Sequence, residues 1–457
     1  MKVSVIGCGY LGAVHSAALA RLGHDVVGID VDAGKVQALA AGRPSFFEPG
    51  LPELLAAGAE AGTLHYSTNI ADAAGCAVHF ITVGTPQQPN GYAADLRYVH
   101  AAVAALIPHL RPGDVVAGKS TVPVGTARQI AATLSAGAAG SLLVWNPEFL
   151  REGHAVQDTL SPDRLVYGLP GPAGCDGLGA ADGQVPHPQR VLDEVYRQLL
   201  ADGCPRLVMD YETAEMVKVS ANAFLATKIS FINAISDVCE AAGADVAMLA
   251  DAIGYDARIG RSFLNAGLGF GGGCLPKDIR AFMARAGELG ASQAQALLRE
   301  VDAINAGRRS RMVDLASEVC GGSLAGQRVA VLGLAFKPQS DDVRESPALS
   351  VAAELQDKGA IVTATDPQAV RNAALILPAL NCVETVEEAV QGSHAVLVLT
   401  DWDEYRSLDP TWLAGLVSGM AVVDGRSCLD ADAWRAAGWT YRALGRPGLP
   451  AAVPATV

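Results

Sequence analysis

Hydrophobic and polar positions divide the first part of the chain into short apolar runs that alternate with amphipathic stretches. An apolar run at 2–6 predicts a strand, a helical pattern follows from 13 to 22, and a second apolar run covers 26–30. Three further apolar runs predict more strands, each followed by a loop of polar or turn-forming residues, at 77–83, 115–119 and 142–145. Strands that alternate with helices in this way are typical of a parallel sheet covered by helices on both faces.

A long helical pattern runs from 211 to 242 with little interruption, which predicts a spine that joins two domains. Lys218 and Asn222 lie four residues apart in it, so their side chains share one face of the helix. These polar side chains can belong to a functional site, or they can simply form the solvent-facing side of the helix.

A second alternating array begins near residue 327, with a helix that ends at 358. Its apolar runs predict four more strands, at 328–332, 360–365, 395–399 and 420–423. The sequence therefore predicts an α/β fold with two Rossmann-like, doubly wound parallel-sheet domains joined by a long central helix. The stretch 171–189 predicts a surface loop, and the Pro/Ala/Val-rich tail at 448–457 is expected to be disordered.

The turn after the first strand carries a dinucleotide-binding fingerprint, formed by Gly7, Gly9 and Gly12 between a strand and a helix. The first glycine permits the tight turn, the second admits a pyrophosphate, and the third lets the helix pack on the strand. Asp30 closes the second strand, where its carboxylate can bind both ribose hydroxyls of NAD and repel the 2′-phosphate of NADP. With strand, helix, strand and terminal acid in place, the sequence predicts NAD as the cofactor.

The equivalent turn in the second array has a broken fingerprint. Phe336 and Lys337 stand in the later glycine region, and Arg344 follows shortly afterwards. Two cations in such a loop suit a charged phosphate ligand better than a second NAD.

Charge and composition narrow the class of partners. The net charge of −14 over 457 residues argues against nucleic acid and anionic membranes, because both select a basic face. The chain shows neither an apolar stretch of membrane-spanning length nor the pattern of a signal peptide. The nine cysteines are scattered without a Cys-x-x-Cys pair, which indicates reduced thiols in a cytoplasmic protein and no zinc site or other metal site.

The loop 267–278 is the most distinctive stretch of the chain. Five glycines in seven positions precede Cys274, and Lys277 and Asp278 follow at once. Glycine lets a backbone approach a ligand closely, and a cysteine beside a cation can act as a nucleophile. The alternative is a glycine-rich loop around a buried, inert thiol.

Together these features resemble the UDP-glucose/GDP-mannose dehydrogenase family over nearly the whole chain. The resemblance rests on ordered motifs at 7–12, 120–123, 146–153, 214–225, 269–278, 333–337, 344–346 and 424–426. It implies an enzyme that oxidises a sugar C6 alcohol twice to a uronic acid, reduces two NAD and retains the aldehyde between the steps. It also implies a homodimer built by the central helix. The implied domains are an NAD-binding domain at 1–205, a central helical and dimerisation domain at 206–310, and a UDP-sugar-binding domain at 311–447.

The second oxidation explains why such a protein needs a cysteine. An aldehyde carbon has a hydrogen but no O–H to drive its departure as hydride. Addition of a thiolate gives a thiohemiacetal, loss of a second hydride leaves a thioester, and water releases the acid. Cys274 lies in the loop that is suited to this chemistry.

The resemblance assigns roles to the other candidate catalytic residues. Lys218 is the general acid/base or the cation that steadies an alkoxide, and Asn222 donates to the developing oxyanion. Asp278 takes part in proton transfer, and Glu148 is the base for thioester hydrolysis. The sequence leaves open which of Lys218, Asp278 and Glu148 acts at each proton transfer. The candidate catalytic set is Cys274, Lys218, Glu148, Asp278, Asn222 and Thr121.

The resemblance also places the ligand contacts. The expected NAD contacts are Gly7, Gly9, Tyr10, Leu11, Gly12, Asp30, Lys35, Thr85, Thr121, Glu152, Lys277 and Arg344. The expected sugar-nucleotide contacts are Glu148, Phe149, Leu150, Arg151, Glu152, Lys218, Asn222, Arg258, Asn265, Gly267, Gly269, Phe270, Gly271, Phe336, Lys337 and Arg426. An ordinary turn fits Thr85 nearly as well, and the alternative for Arg258 is an exposed surface arginine.

Three alternatives to UDP-glucose chemistry remain at this point. The residues at 256–264 match the motif of UDP-glucose dehydrogenases better than the motif of GDP-mannose dehydrogenases. UDP-N-acetylhexosamine dehydrogenases normally carry histidine beside the cysteine, whereas Gly273 precedes Cys274 here. A non-catalytic NAD-binding scaffold would have no reason to keep the catalytic set together.

Overall fold

A computed structural model describes residues 1–171 and 187–447 of the chain. The chain divides into two compact units. The first comprises Met1–Ala221 with Ala284–Gly290, and the second comprises Asn222–Met283 with Ala291–Val457. The predicted division into three domains stays a prediction.

The first unit is built on an eight-stranded sheet in the order β3-β2-β1-β4-β5-β6-β7-β8. Its strands are β1 (Lys2–Ile6), β2 (Asp25–Ile29), β3 (Leu64–Ser67), β4 (Val78–Ile81), β5 (Val115–Gly118), β6 (Leu142–Trp145), β7 (Leu165–Leu169) and β8 (Arg206–Asp210). The strands from β1 to β6 pair in parallel, β7 is antiparallel to β6, and β8 is parallel to β7. Central strands buried on both faces explain the continuous apolar runs in the sequence.

Helices cover both faces of this sheet. They are α1 (Tyr10–Arg21), α2 (Ala33–Ala40), α3 (Leu51–Glu60), α4 (Arg97–Leu106), α5 (Thr126–Gly137), α6 (Ala155–Leu160), α7 (His187–Val195) and α8 (Arg197–Ala201), with short 3₁₀ turns at Ile70–Ala73 and Ile107–His109. Two clusters of buried apolar side chains lie against the sheet. The arrangement is that of a Rossmann-type nucleotide-binding domain with two strands added at one edge.

The second unit contains a six-stranded sheet in the order β11-β10-β9-β12-β13-β14, with all pairs parallel. Its strands are β9 (Arg328–Leu332), β10 (Ile361–Thr365), β11 (Asn381–Cys382), β12 (Ala395–Val398), β13 (Ala421–Asp424) and β14 (Thr440–Ala443). Helices in the chain after α8 are α9 (Tyr211–Ala242), α10 (Val246–Gly254), α11 (Leu275–Glu288), α12 (Ser292–Val319), α13 (Pro347–Asp357), α14 (Val370–Ile376), α15 (Val386–Val390), α16 (Asp403–Arg406), α17 (Pro410–Ala414) and α18 (Ala431–Ala436).

The predicted fold class is confirmed, and helix α9 has the bounds that the sequence pattern gave. Several boundaries were wrong. Helix α1 begins at Tyr10 instead of 13, because the amide of Ala13 already donates to the carbonyl of Gly9. Strand β4 ends at Ile81, and the next residue, Thr82, donates its hydroxyl to the carbonyl of Gly7 at 2.7 Å in the turn of the fingerprint.

The predicted loop at 171–189 falls mostly on residues outside the described part of the chain. Its last three residues were wrongly assigned, because helix α7 begins at His187. The tail at 448–457 also lies outside the described residues. Across residues 1–171 and 187–447, no helix has both the length and the apolar character needed to span a bilayer.

Candidate active site

The turn between β1 and α1 has the shape of a phosphate cradle. Gly7 has a φ of +95°, and a Cβ on Gly12 would lie 1.9 Å from the carbonyl oxygen of Gly7, so larger residues are excluded at both positions. A Cβ on Gly9 would meet nothing within 4 Å. This open space lies at the N-terminus of a twelve-residue helix, where amide donors and the helix dipole favour an anion.

Asp30 lies just past the end of β2 with its carboxylate almost buried. It accepts the amide of Cys8 at 2.8 Å and the ammonium of Lys35 at 2.9 Å, and its other oxygen accepts the amide of Asp32 at 3.0 Å. The carboxylate is therefore held in place beside the cradle, in the position that a dinucleotide ribose requires. The glycine cradle and the carboxylate of Asp30 together fit NAD. Lys35, another predicted NAD contact, lies next to that carboxylate.

Glu48 is a buried carboxylate of this region that the sequence analysis missed. It accepts the hydroxyl of Tyr10 and the amides of Gly153 and Ala155, each amide at 2.7 Å. Burial, followed by the bond to Glu48, raises the pKa of Tyr10 well above its ordinary value. Glu48 thus fastens the fingerprint residue Tyr10 to the loop that carries Glu148 and Glu152.

Glu148 and Lys218 form an ion pair in the first unit. Their carboxylate oxygen and Nζ are 3.0 Å apart, and the side chains are only 13% and 7% exposed. The second oxygen of Glu148 accepts the amide of Leu150 at 2.7 Å. The Lys218 ammonium also lies 5.7 Å from the ring centroid of Phe149, whose ring is covered by Arg164 at 3.8 Å. The structure therefore brings together three residues that the sequence predicted as a site.

The loop that contains Thr121 is tied to its neighbours through its backbone. The hydroxyl of Thr85 donates to the carbonyl of Thr121 at 2.7 Å. The carboxylate of Glu215, on α9, accepts the amides of Gly125 at 2.7 Å and Ala127 at 2.6 Å. Burial raises the pKa of Glu215 to about 7, although these amides act in the opposite direction. Glu215 lies three residues before Lys218, so the same helix holds the Thr121 loop and carries the lysine.

In the second unit, Cys274 immediately precedes helix α11. Its carbonyl accepts the amide of Asp278 at 3.0 Å, which makes it the first residue of the helical bonding pattern. The positive end of a fourteen-residue helix favours a thiolate over a thiol. Cys274 is exposed, whereas Cys8, Cys76 and Cys239 are buried. Burial raises the pKa of Cys8 to about 12 and that of Cys76 to about 11, so those thiols are poor nucleophiles.

Asp278, one turn after Cys274, organises two other predicted residues. Its carboxylate accepts a hydrogen bond from the side-chain amide of Asn222 at 2.6 Å and another from the ammonium of Lys277 at 2.5 Å. Both Asp278 and Asn222 are buried. Asn222 has a second N–H on the same nitrogen that this bond does not use.

The glycines before Cys274 are required by the packing of the protein itself. A Cβ on Gly269 would lie 2.1 Å from the side-chain oxygen of Asn305, and one on Gly272 would lie 2.7 Å from the ring of Phe336. A Cβ on Gly273 would meet only the guanidinium of Arg344, the end of a flexible side chain that can move aside, so the requirement for glycine is strict at 269 and 272, where φ is +86° and +81°. Asn305 also exchanges two hydrogen bonds with the backbone of Phe270, at 2.8 and 3.0 Å.

Arg426 connects the loops of the second unit. Its guanidinium donates to the carbonyls of Gly269 at 2.9 Å, Phe336 at 3.1 Å and Leu399 at 2.9 Å. Burial lowers the pKa of this arginine from its ordinary value. Lys337 lies over the Phe336 ring at 5.5 Å. The predicted residues Gly269, Phe336 and Arg426 therefore lie together, and the arginine shapes their loops.

Four other predicted contacts form salt bridges or hydrogen bonds with near neighbours in sequence. Arg258 is 89% exposed and pairs with Asp256 at 2.6 Å. Asn265 accepts from Arg261 at 2.7 Å, Arg151 pairs with Asp158 at 2.7 Å, and Arg344 pairs with Asp342 at 2.7 Å. Their roles toward a ligand stay predictions, as do those of Leu11, Gly267 and Gly271.

The two sheets differ at the acid that follows their second strand. Asp366, after β10, accepts the amides of Leu334 at 2.7 Å and Ala335 at 3.0 Å and the indole N–H of Trp402 at 3.1 Å. Its other oxygen accepts two further amides at 2.9 Å, and the residue is 3% exposed. Both carboxylate oxygens of Asp366 are thus occupied by hydrogen bonds from the protein. This acid is therefore unsuited to binding a dinucleotide ribose, in agreement with the broken fingerprint.

Comparisons with known proteins agree over the length of the chain. Three models of the UDP-glucose/GDP-mannose dehydrogenase family match it: the NAD binding domain at 1–199, the central domain at 212–307 and the UDP binding domain at 330–431. A UDP-glucose 6-dehydrogenase of Rhizobium meliloti is 40% identical over 98% of this chain and 100% of its own length. A UDP-glucose 6-dehydrogenase of Bacillus subtilis is 40% identical over 98% of both chains. The solved UDP-glucose dehydrogenase of Pyrobaculum islandicum is 38% identical, covers 97% of this chain and 98% of its own, and superposes with a TM-score of 0.86.

Proposed function

Because this chain belongs to the UDP-glucose/GDP-mannose dehydrogenase family, we propose that it oxidises UDP-glucose to UDP-glucuronate in two NAD-dependent steps. The observation that carries the choice of sugar nucleotide is 40% identity, over 98% of the chain, to proteins named UDP-glucose 6-dehydrogenase. The dinucleotide cradle at Gly7, Gly9 and Asp30 supports NAD as the cofactor.

In the first oxidation, the C6 hydroxyl loses its proton as the C6–H bond breaks, and an aldehyde forms. NAD, when bound, supplies the hydride acceptor for both oxidations. Lys218 accepts the hydroxyl proton as the neutral amine, or stabilises the alkoxide as the ammonium, and its pairing with Glu148 at 3.0 Å fixes the direction of Nζ. A lysine that is 7% exposed has little water around it, which strengthens its interaction with a developing negative charge.

In the second oxidation, the thiolate of Cys274 adds to the aldehyde carbon, and the resulting alkoxide takes up a proton to give a thiohemiacetal. Oxidation of that species leaves a thioester on the sulfur. Water, deprotonated by Glu148, then adds to the thioester carbonyl, releases the acid and returns the sulfur as a thiolate. Exposure of Cys274 at the N-terminus of α11 supports this role.

Asn222 and Asp278 act as a pair in this proposal. The bond from Asn222 to Asp278 at 2.6 Å fixes the amide plane and leaves the second N–H to donate to a tetrahedral oxyanion. Asp278 also holds Lys277, so its negative charge is offset.

We propose that the second unit binds the uridine diphosphate. Lys337 supplies a cation beside the loop of Phe336, and Arg426 sets the conformation of that loop and of the glycine loop. The occupied carboxylate of Asp366 argues that this second nucleotide is a mononucleotide diphosphate bound differently from NAD.

A substrate panel tests the choice of sugar nucleotide. The protein is incubated with NAD and either UDP-glucose, GDP-mannose or UDP-N-acetylglucosamine, and NADH is followed at 340 nm. We expect kcat/KM for UDP-glucose to exceed that for the other two by at least about 100-fold. A preference for GDP-mannose would overturn the substrate assignment while leaving the family chemistry in place.

The charge of Asp30 is expected to set the choice between NAD and NADP. Asp30→Asn keeps the shape of the side chain but removes the charge, so the KM for NAD should rise about tenfold, the loss typical of a charge-assisted hydrogen bond. Selectivity for NAD over NADP should fall by a similar factor. Asp25→Asn, an exposed acid at the opposite end of the same strand, is the control. An unchanged KM for NAD in Asp30→Asn would contradict this role.

We also propose that the chain forms a homodimer through α9. Phe224, Phe231 and Val238 recur every seven residues on that helix and are 67%, 50% and 61% exposed. A stripe of this kind on one helical face is typical of a surface covered by a partner. Light scattering should give twice the chain mass of 47.1 kDa.

Phe231→Glu should shift the protein toward the monomer. Leu375→Glu, at an apolar residue that is 74% exposed on α14, should leave the mass unchanged. A monomeric wild type, or a dimer that tolerates glutamate at 231, would argue against this interface.

A further inference from the structure

Lys119 is a buried lysine that the roles described above do not use. It follows directly after β5 and is 6% exposed. Its Nζ lies 3.4 Å from the carbonyl oxygen of Asn146 and 5.9 Å from the ring centroid of Tyr196. A lysine in such surroundings gives up most of its hydration, so its retention calls for a charged neighbour.

The groups around Lys119 are fixed by their own hydrogen bonds. The side chain of Asn146 donates to the carbonyl of Val166 at 2.9 Å and accepts the hydroxyl of Tyr196 at 2.8 Å. Asn146 starts the loop whose third residue is Glu148. The ammonium of Lys119 therefore contacts the backbone of that loop at its rigid end.

The titratable groups near Lys119 come from four other parts of the chain. Burial lowers the pKa of Lys119 to about 8; the charge of Glu148 acts in the opposite direction, and that of Lys218 lowers it further. His15 on α1 and Tyr196 are both buried, and burial, together with Lys119 for His15, keeps both rings neutral at physiological pH. Glu148 is thus the anion that interacts with two lysines, Lys119 and Lys218.

We propose that Lys119 is a positioning residue for the reaction: its buried ammonium holds the start of the Glu148 loop and offsets the charge of Glu148 beside Lys218. The proposal rests on the proposed function, in which Glu148 and Lys218 move protons. A cation near a group that takes up a proton disfavours the protonated form of that group. Loss of the Lys119 charge therefore makes proton uptake at the site easier, so the site should be protonated at a higher pH than in the wild type.

The test is the pH profile of kcat with UDP-glucose and NAD for Lys119→Met, which keeps the stem and removes the charge. We expect the acidic limb to move up by about one pH unit, the size of a charge–charge interaction inside a protein. Activity near pH 7 should fall about tenfold and recover toward the wild-type value at higher pH. Lys119→Arg retains a cation and should keep the wild-type limb. The KM for NAD should change less than threefold in both variants.

A double-mutant cycle separates positioning from a merely structural role. If Lys119 acts through Glu148, Lys119→Met should lower kcat much less in a Glu148→Gln background than in the wild type. An unshifted limb in Lys119→Met, or an equal further loss in the Glu148→Gln background, would overturn the proposal. Where Lys119→Met does not fold, Lys119→Gln replaces it in both experiments. Wild-type activity in Glu148→Gln alone would instead remove the proposed function of Glu148.

Discussion

Replacing Cys274 by serine is expected to block formation of the free acid. Serine lacks the acidity to add to an aldehyde as an anion and makes a poor leaving group from an ester, so acid formation should fall by at least about 10³-fold. The first oxidation should survive, and the NADH formed per sugar should fall from two toward one. Intact-protein mass spectrometry should show either no adduct or a slowly hydrolysed ester on the serine.

Cys382→Ser is the matched control for this variant. Cys382 is a half-buried thiol on the short strand β11 whose pKa burial raises, and its replacement should leave the rate and the NADH count unchanged. Wild-type acid production by Cys274→Ser would rule out the covalent route.

Replacing Lys218 is expected to have the other large effect. Lys218→Met removes both the acid/base group and the partner of Glu148 at 3.0 Å, so kcat should fall about 10²- to 10⁴-fold. The KM for NAD should change little, because the cradle at Gly9 and Asp30 lies on other elements. Lys228→Met is the control on the same helix; Lys228 donates to the carbonyls of Ile259 and Gly260.

Lys218→Arg distinguishes the two roles that remain open for this residue. Arginine stays protonated, so it can steady an alkoxide but cannot accept a proton. Partial rescue by arginine would favour the electrostatic role, and its failure would favour proton transfer. A Lys218→Met variant within tenfold of the wild type would contradict both.

The order of elements could be predicted from the sequence wherever burial left a continuous signal. Strand β1 and helix α9 have the predicted bounds because their apolar pattern continues to the last residue. The edge strand β11 is two residues long, and β14 alternates polar and apolar residues over only four, so neither produced an apolar run. The first three residues of α7 were predicted as part of a loop because they adjoin a Gly/Pro-rich stretch.

The site was predictable where motif residues pair with one another, as Glu148 does with Lys218 and Asn222 with Asp278. It was not predictable where a charge is buried by distant parts of the chain. The sequence pattern places Lys119 at the polar end of a strand, but in the structure its side chain is buried. The sequence pattern places Glu215 on the solvent-facing side of α9, yet its carboxylate caps the N-terminus of α5. Long-range burial of this kind leaves no periodic signal in the sequence.

The number of NADH molecules formed per UDP-glucose consumed tests the central claim most directly. The wild-type protein is given limiting UDP-glucose and excess NAD, and both NADH and UDP-glucuronate are counted at completion. Four-electron oxidation through Cys274 predicts two NADH and one UDP-glucuronate per sugar. One NADH per sugar, with free UDP-linked aldehyde in solution, would contradict it.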